Sequence, residues 1–186
     1  MVRSYSGAVR YSTPLAHQWL ISDARNDAVL EDALRRMTRG SGFIYRHYHL
    51  GEPERYLRFR ALRKVARACG HTVIVAQGVQ KAAQWQADGA YGPPCALQRR
   101  RTGQLRLATA HNLTEIGLAN RIGADAVLLS PVFATRSHPG ADTLGIAKFR
   151  LLARYSNTPV IALGGMNAKG ARALDWPRWA AIDGLS

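Results

Sequence analysis

Three segments of the sequence place glycine, hydroxyl or basic residues directly after an apolar run. The first is Ala162–Met166, ALGGM, in which Gly164 and Gly165 separate an apolar run from a helical pattern. Adjacent glycines let backbone N–H groups approach an anion closely, and a helix N-terminus adds a favourable dipole. We therefore predict that Gly164 and Gly165 bind phosphate. The alternative is a tight turn without a ligand.

The second segment, Ser130–Gly140, reads SPVFATRSHPG and is long for a plain connection. Loops of this kind commonly carry binding or catalytic residues. Its hydroxyl groups can donate to an anion, and its basic side chains offer charge or proton transfer. The candidate residues are Ser130, Thr135, Arg136, Ser137 and His138.

The third segment is Tyr45–His49, YRHYH, at the end of another apolar run. Strand alternation predicts Arg46 and Tyr48 on one face and the remaining three side chains on the other. A guanidinium at the C-terminal end of a strand is suited to binding pyrophosphate. His47 and His49 could bind a metal ion, but no carboxylate cluster accompanies them, so we predict no metal site here.

Two further residues follow apolar runs. His111 could act as an acid, a base or a hydrogen-bond donor, or could instead be structural and hold a loop carbonyl. Asp23 could anchor the site or cap the next helix. The sequence contains no nucleophile elbow, P-loop or zinc-binding spacing.

Alternating strands and helices would position these residues. Apolar runs predict eight strands: Trp19–Ser22, Gly42–His47, Thr72–Ala76, Gly89–Tyr91, Leu105–Thr109, Ala126–Ser130, Val160–Leu163 and Ala180–Ile182. Helical spacing predicts helices over Asp27–Met37, Glu54–Cys69, Val79–Gln86, Asn112–Ile122 and Ile146–Ser156, and a short one from Asn167. This order is typical of an α/β TIM (β/α)8 barrel, which keeps its ligand site at the C-terminal ends of the strands.

Length and composition set further limits. The 186 residues indicate a single domain, 1–186, which is short for a barrel that typically has about 250 residues, so we expect the last helix to be missing or rudimentary. The segment Pro93–Gly103 is predicted to be a surface loop with a basic tip. No apolar run suits a membrane helix or a signal peptide, and two cysteines form no disulfide framework. We therefore expect a cytoplasmic protein.

The chain carries a formal net charge of +14, almost all of it from arginine. This charge could indicate nucleic-acid binding, or it could be spread over solvated helix faces. We favour the second interpretation because no nucleic-acid-binding motif accompanies the arginines. The sequence leaves the oligomeric state open, and a homo-oligomer is compatible with it.

Four motifs in the second half of the chain resemble those of one family. They are Thr109-Ala110-His111, Gly123-Ala124-Asp125-Ala126-Val127, Ser130-Pro131-Val132-Phe133-Ala134-Thr135 and Ala162-Leu163-Gly164-Gly165-Met166. From Trp19 onward the sequence resembles thiamine phosphate synthases and the related TenI-type thiazole tautomerases, which are TIM barrels. The resemblance implies that the last two motifs hold the phosphate of a thiazole phosphate.

In the synthases, the thiazole nitrogen attacks a pyrimidine carbocation after pyrophosphate has left, and magnesium assists. The first half of the present chain departs from the pattern that serves this step. Arg46, Tyr48 and Leu50 stand roughly where the family has Gln-x-Arg-x-Lys. Ala76 and Gln77 stand for its Asn-Asp pair after the third strand. The resemblance therefore implies Mg²⁺ as a possible cofactor. The present chain lacks the aspartate of the Asn-Asp pair, which is one of the family's carboxylates for magnesium.

Other family positions also differ. Tyr91 replaces a histidine after the fourth strand, and the stretch Pro93–Leu97 offers no second carboxylate for magnesium. His138 replaces a loop lysine, and Pro131 stands where the tautomerases have a catalytic histidine. The resemblance implies a protein of thiamine biosynthesis that binds a phosphorylated heterocycle, with Arg46, His111 and His138 as catalytic candidates. The alternative is a catalytically silent binding or regulatory paralogue.

Overall fold

The computed structural model describes residues 15–99, 101–136, 140 and 142–185. Eight parallel strands form a closed barrel in which each strand pairs with the next one and β8 pairs with β1. The strands are β1 Gln18–Ile21, β2 Gly42–Tyr45, β3 Thr72–Ala76, β4 Gly89–Gly92, β5 Leu105–Ala110, β6 Ala126–Leu129, β7 Val160–Ala162 and β8 Trp179–Ala181. The predicted TIM barrel is confirmed, and so are all eight predicted strands, with small shifts at their ends.

In the part of the chain that the structure describes, six α-helices cover the outside of the barrel. They are α1 Leu30–Arg36, α2 Glu52–Ala68, α3 Gly78–Gln84, α4 Leu113–Ile122, α5 Gly145–Ala153 and α6 Ala168–Leu174. Among the described residues, which reach Leu185, no helix follows β8. No helix in the described part of the chain is long and apolar enough to cross a membrane.

Two predicted segments differ from the structure. The predicted helix Asp27–Met37 is a 3-10 helix, Ala24–Val29, followed by the shorter α1, because Asp23 and Asn26 form a capping box that starts the helical turn earlier. The stretch Pro93–Gly103 is not simply a surface loop. It contains a 3-10 helix, Pro94–Leu97, and the Leu97 side chain is fully buried because this turn packs between α3 and α4 where the barrel has no α-helix.

Side chains fill the barrel interior below the mouth. Trp19 is fully buried inside, and its Nε1 donates to the carbonyl oxygen of Ala16 at 2.9 Å. The indole occupies the space beside Gly42, where a Cβ atom would lie 2.1 Å from Trp19 Cε3. Gly42 therefore makes room for the largest interior side chain. With the N-terminal end of the barrel filled in this way, the open end lies at the C-terminal ends of the strands.

A repeated Ala-Asp pair before β4 and β6 has a structural role at the closed end. Asp88 Oδ2 accepts from the N–H of Val73 at 2.8 Å, and Asp125 Oδ2 accepts from the N–H of Arg106 at 2.8 Å. Each carboxylate thus satisfies the N–H group of the second residue in a neighbouring strand. Both aspartates lie at the end of the barrel opposite the mouth.

Candidate active site

A cavity of about 450 Å³ opens at the C-terminal ends of β5 to β8, with one basic side chain from the end of β2. Its volume lies in the range of about 300–1,000 Å³ that is usual for small-molecule sites. The cavity brings together six of the eight predicted site residues, and the other two, Ser137 and His138, lie outside the described residues. The lining residues are Arg46, His111, Ser130, Pro131, Ala134, Thr135, Arg136, 163–167 and 180–184.

Close packing between two loops forms one wall of this cavity. The N–H of Val132 donates to the carbonyl oxygen of Leu163 at 2.9 Å, and the N–H of Phe133 donates to that of Gly164 at 3.1 Å. A Cβ atom on Gly164 would lie 2.6 Å from Pro131 Cα, and one on Gly165 would lie 2.4 Å from the carbonyl oxygen of Ala134. Both positions therefore require glycine for packing as well as for backbone conformation.

The same two glycines turn their backbone toward the cavity. Gly164 has a φ of 91° and Gly165 a φ of 62°, both in the left-handed region that favours glycine. Within the described part of the chain, their N–H groups donate to no protein acceptor. Asn167 follows as the N-cap of α6, with its Oδ1 accepting from the N–H of Gly170 at 2.8 Å. Unpaired N–H groups in such a turn are suited to binding an anion.

Arg46 enters the mouth from the end of β2. Its N–H donates to Ser22 Oγ at 2.8 Å, and its Nη2 donates to Asp23 Oδ2 at 3.1 Å. Its guanidinium carbon lies 5.7 Å from the centre of the Tyr48 ring. Burial raises the pKa of the Tyr91 hydroxyl, and the nearby Arg46 opposes that shift. Arg46 is therefore held between β1 and β4 with its charge at the mouth, on the face that strand alternation predicts.

Asp23 is ionised in this arrangement. Partial burial raises its pKa, but hydrogen bonds from Arg25 and the charges of Arg25 and Arg46 outweigh that effect and lower the pKa below its ordinary value. Asp23 Oδ1 also accepts from the N–H of Arg25 at 3.3 Å, so that Asp23 is the N-cap of the 3-10 helix. Asp23 therefore caps a helix and also pairs with Arg46 of the cavity wall.

His111 lies at the end of β5, and a carboxylate orients its ring. Its Nδ1 is 2.8 Å from Glu115 Oε2, and its backbone N–H donates to the same oxygen at 2.7 Å. With Nδ1 engaged by the carboxylate, Nε2 is the ring atom left to contact a ligand. The His111 ring belongs to the cavity wall and is half exposed. This geometry suits a hydrogen-bonding or proton-transfer role.

His47 lies outside the cavity and has a structural role. It is fully buried with a φ of 37°, its Nδ1 is 2.8 Å from Ser22 Oγ, and its Nε2 is 2.8 Å from Asp27 Oδ1. Burial lowers the pKa of His47, although the hydrogen bond with Asp27 opposes this. Because both ring nitrogens already have partners, the pair of His47 and His49 does not offer a ready metal site.

The residues at the mouth do not fit the magnesium ion that the family resemblance implies. All twelve carboxylates of the sequence belong to the described residues, in which no group of three or more metal-ligating side chains occurs. The ends of β3 and β4 present Ala76, Gln77 and Tyr91. The Gln77 Oε1 atom accepts from Arg55 Nη1 at 2.6 Å, so this amide oxygen is already engaged. Mg²⁺ prefers several oxygen ligands, commonly carboxylates, in octahedral geometry.

Sequence reasoning missed two arginines beside the site. Arg55, in the first turns of α2, is 2% exposed, and its Nε donates to the carbonyl oxygen of Arg46 at 3.0 Å. Arg25 contacts the carboxylates of Asp23, which follows β1, and of Asp183, which follows β8. In the sequence, Arg55 is one of several arginines spaced as on an exposed helix surface. In the fold, its guanidinium lies over the aromatic rings of Tyr45, Tyr48 and Trp85, which explains its burial.

Comparison with known proteins decides the family. A family model described as thiamine monophosphate synthase matches residues 18–175, which is most of the chain. The chain belongs to the thiamine monophosphate synthase family. It is 34% identical over 148 residues to a thiamine-phosphate synthase of Chloroflexus aurantiacus, a match covering 76% of this chain and 67% of the relative. It is 29% identical over 126 residues to a putative thiamine-phosphate synthase 2 of Aquifex aeolicus, covering 65% and 68%.

A solved structure supports the fold of this family member. The thiamine phosphate pyrophosphorylase of Pyrococcus furiosus superposes with a TM-score of 0.74 at 24% identity, covering 89% of this chain and 84% of that one. At this level of identity the likeness establishes the barrel. The residues that line the mouth must be argued from their own chemistry.

Proposed function

We propose that this family member acts in thiamine biosynthesis and binds a phosphorylated thiazole in the cavity over β5 to β8. One observation supports this most directly. Gly164 and Gly165 present N–H groups without a protein acceptor in the same cavity as the hydroxyls of Ser130 and Thr135. Backbone N–H groups and hydroxyls together form a neutral set of donors that suits a phosphate monoester.

The rest of the cavity suits the heterocycle. Leu163 and Ala180 lie in its wall together with Ile182, so an apolar surface adjoins the phosphate donors. A flat ring can bury against these side chains while its phosphate reaches Gly164 and Gly165. The sequence also proposes Ser137 and His138 as contacts from the β6 loop, and their part in binding remains a prediction.

We further propose that the chain joins the thiazole to a pyrimidine pyrophosphate, as the family name implies. The bond from the pyrimidine methylene carbon to the pyrophosphate oxygen would break first, and the thiazole nitrogen would then form the new bond to that carbon. In this chain, Arg46 and Arg136 would contact the departing pyrophosphate, since both residues line the cavity. His111, oriented by Glu115, would hydrogen-bond the substrates at the opposite side.

Calorimetry and a turnover assay test the two parts of this proposal separately. Isothermal titration of the full chain with thiazole phosphate should show one site per chain, and absence of binding at millimolar ligand would contradict it. A coupled assay with thiazole phosphate and pyrimidine pyrophosphate should then show thiamine phosphate formation. Binding without turnover would instead select a catalytically silent paralogue. A cytoplasmic location, a single domain over 1–186 and a homo-oligomer remain predictions of the sequence.

A further inference from the structure

Two carboxylates at the mouth share a single guanidinium group. Arg25 Nε donates to Asp23 Oδ1 at 2.9 Å, and Arg25 Nη1 lies 3.6 Å from Asp183 Oδ2. Asp23 Oδ2 in turn accepts from Arg46 Nη2 at 3.1 Å. Charges of opposite sign therefore alternate across the loops of β8, β1 and β2 in the order Asp183, Arg25, Asp23 and Arg46.

Two of the acidic side chains at or beside the cavity, Asp23 and Asp183, belong to this row of alternating charges. Of the twelve carboxylates in the sequence, all of which are in the described part, Asp183 lines the cavity. Asp23 accepts from the lining residue Arg46, and Glu115 contacts the lining residue His111. Glu115 belongs to α4 and binds the His111 ring, so Asp23 and Asp183 are the pair that could bind a cation together.

Arg25 already lies between the two carboxylates of that pair. Its hydrogen bond with Asp23 raises the pKa of the Arg25 guanidinium further, so the residue is a permanent cation. A divalent ion bound by Asp23 and Asp183 would have to displace this guanidinium, and only two carboxylates would then hold the ion. A hard cation that prefers six oxygen ligands gains little from such an exchange.

We propose that Arg25 is the resident counter-charge of the mouth, and that the cavity binds its phosphorylated ligand without a divalent cation. This inference rests on the proposed function for the identity of the ligand. Arg25 keeps Asp23 neutralised when pyrophosphate engages Arg46, so the carboxylate neither repels that anion nor competes fully for Arg46. Arg25 acts on the ligand through Asp23, which it shares with Arg46, so it is a positioning residue.

The first test measures thiazole phosphate binding with and without metal. Isothermal titration of the full chain in EDTA and in millimolar MgCl₂ should give dissociation constants that agree within about twofold. A dissociation constant that is more than about tenfold lower in MgCl₂ would overturn the inference.

The second test removes the guanidinium. In Arg25→Gln, Asp23 is left with Arg46 alone and competes with the pyrophosphate proposed to contact Arg46, so binding of inorganic pyrophosphate in EDTA should weaken about tenfold at low salt. MgCl₂ should restore part of this loss, because Mg²⁺ can now enter between Asp23 and Asp183. The matched control is Arg35→Gln, which removes an exposed arginine that pairs with Asp32 on α1. If Arg25→Gln and this control have the same dissociation constant, and MgCl₂ does not change it, Arg25 does not have the proposed role.

A third measurement separates this inference from the proposed function. Electron paramagnetic resonance of Mn²⁺ needs no organic ligand. With the unmodified chain, the spectrum of millimolar Mn²⁺ should be that of the unbound ion. A stoichiometric Mn²⁺ site that Asp23→Asn removes would contradict the inference, whatever the ligand. Failure of thiazole phosphate to bind under all conditions would contradict the proposed function instead. Circular dichroism of each variant shows whether the barrel has folded.

Discussion

Replacement of Gly164 by alanine tests whether the β6 and β7 loops pack as one wall of the cavity. The new Cβ atom would lie 2.6 Å from Pro131 Cα and 2.7 Å from Pro131 Cβ. Carbon atoms prefer to be about 3.5–4.0 Å apart, so the loop must move by about 1 Å. Because the neighbours are backbone and proline ring atoms, no rotamer change can relieve this contact.

The cost of this substitution has two parts. An alanine at a φ of 91° costs about 1–2 kcal/mol in backbone strain. The forced loop movement adds about 1–3 kcal/mol, the usual cost of overpacking. The expected loss is therefore about 2–5 kcal/mol in the free energy of unfolding, or roughly 4–20 °C in Tm for a chain of this size. The shift also displaces phosphate donors, so we expect thiazole phosphate binding to weaken at least about tenfold.

Gly40→Ala is the matched control for this prediction. Gly40 has a φ of 84°, and a Cβ atom there would meet nothing within 4 Å. This variant should lose only the backbone part, about 1–2 kcal/mol, and should bind thiazole phosphate normally. Urea unfolding and calorimetry of both variants check the difference. If Gly164→Ala and Gly40→Ala lose equal stability, the loop contact described above is wrong.

Three further predictions concern stability. Gly117→Ala should stabilise the chain by about 0.5–1 kcal/mol in urea unfolding, because Gly117 lies inside α4 with open space around its Cα; a loss would contradict this. Arg58→Met should cost about 2 kcal/mol in thermal unfolding, because Arg58 donates to both Asp27 and Glu31 in a partly buried cluster; an unchanged Tm would count against it. The depressed pKa of His47 means that the unfolded chain binds more protons below about pH 6.5, so stability should fall as pH decreases from 7 toward 5, by at most about 1.4 kcal/mol per pH unit. His47→Gln should reduce that slope, and an unchanged slope would show that another group titrates.

The barrel could be predicted from the sequence because its strands are short apolar runs separated by helical patterns. Strand alternation put Arg46 and Tyr48 on one face but did not say which face turns inward, whereas the position of each motif at a strand end placed Ser130 and Gly164 at the same end of the barrel. These inferences need only local periodicity and the rule that barrel sites lie at the C-terminal ends of strands.

The contacts that the sequence did not reveal depend on closure of the barrel. Arg25 reaches Asp183 only because β8 pairs with β1, which brings opposite ends of the sequence together. The burial of Arg55 depends on aromatic side chains from three elements, and that of Leu97 depends on the missing helix between β4 and β5. Spacing along the chain carries no signal for such contacts.

Titration of the full chain with thiazole phosphate tests the central claim most directly. The cavity over β5 to β8 predicts one binding site per chain with a dissociation constant below about 1 mM. The same thiazole without its phosphate should bind at least about tenfold more weakly, because the N–H groups of Gly164 and Gly165 would lose their anion. No binding at millimolar thiazole phosphate, or equal binding of the two compounds, would contradict the claim.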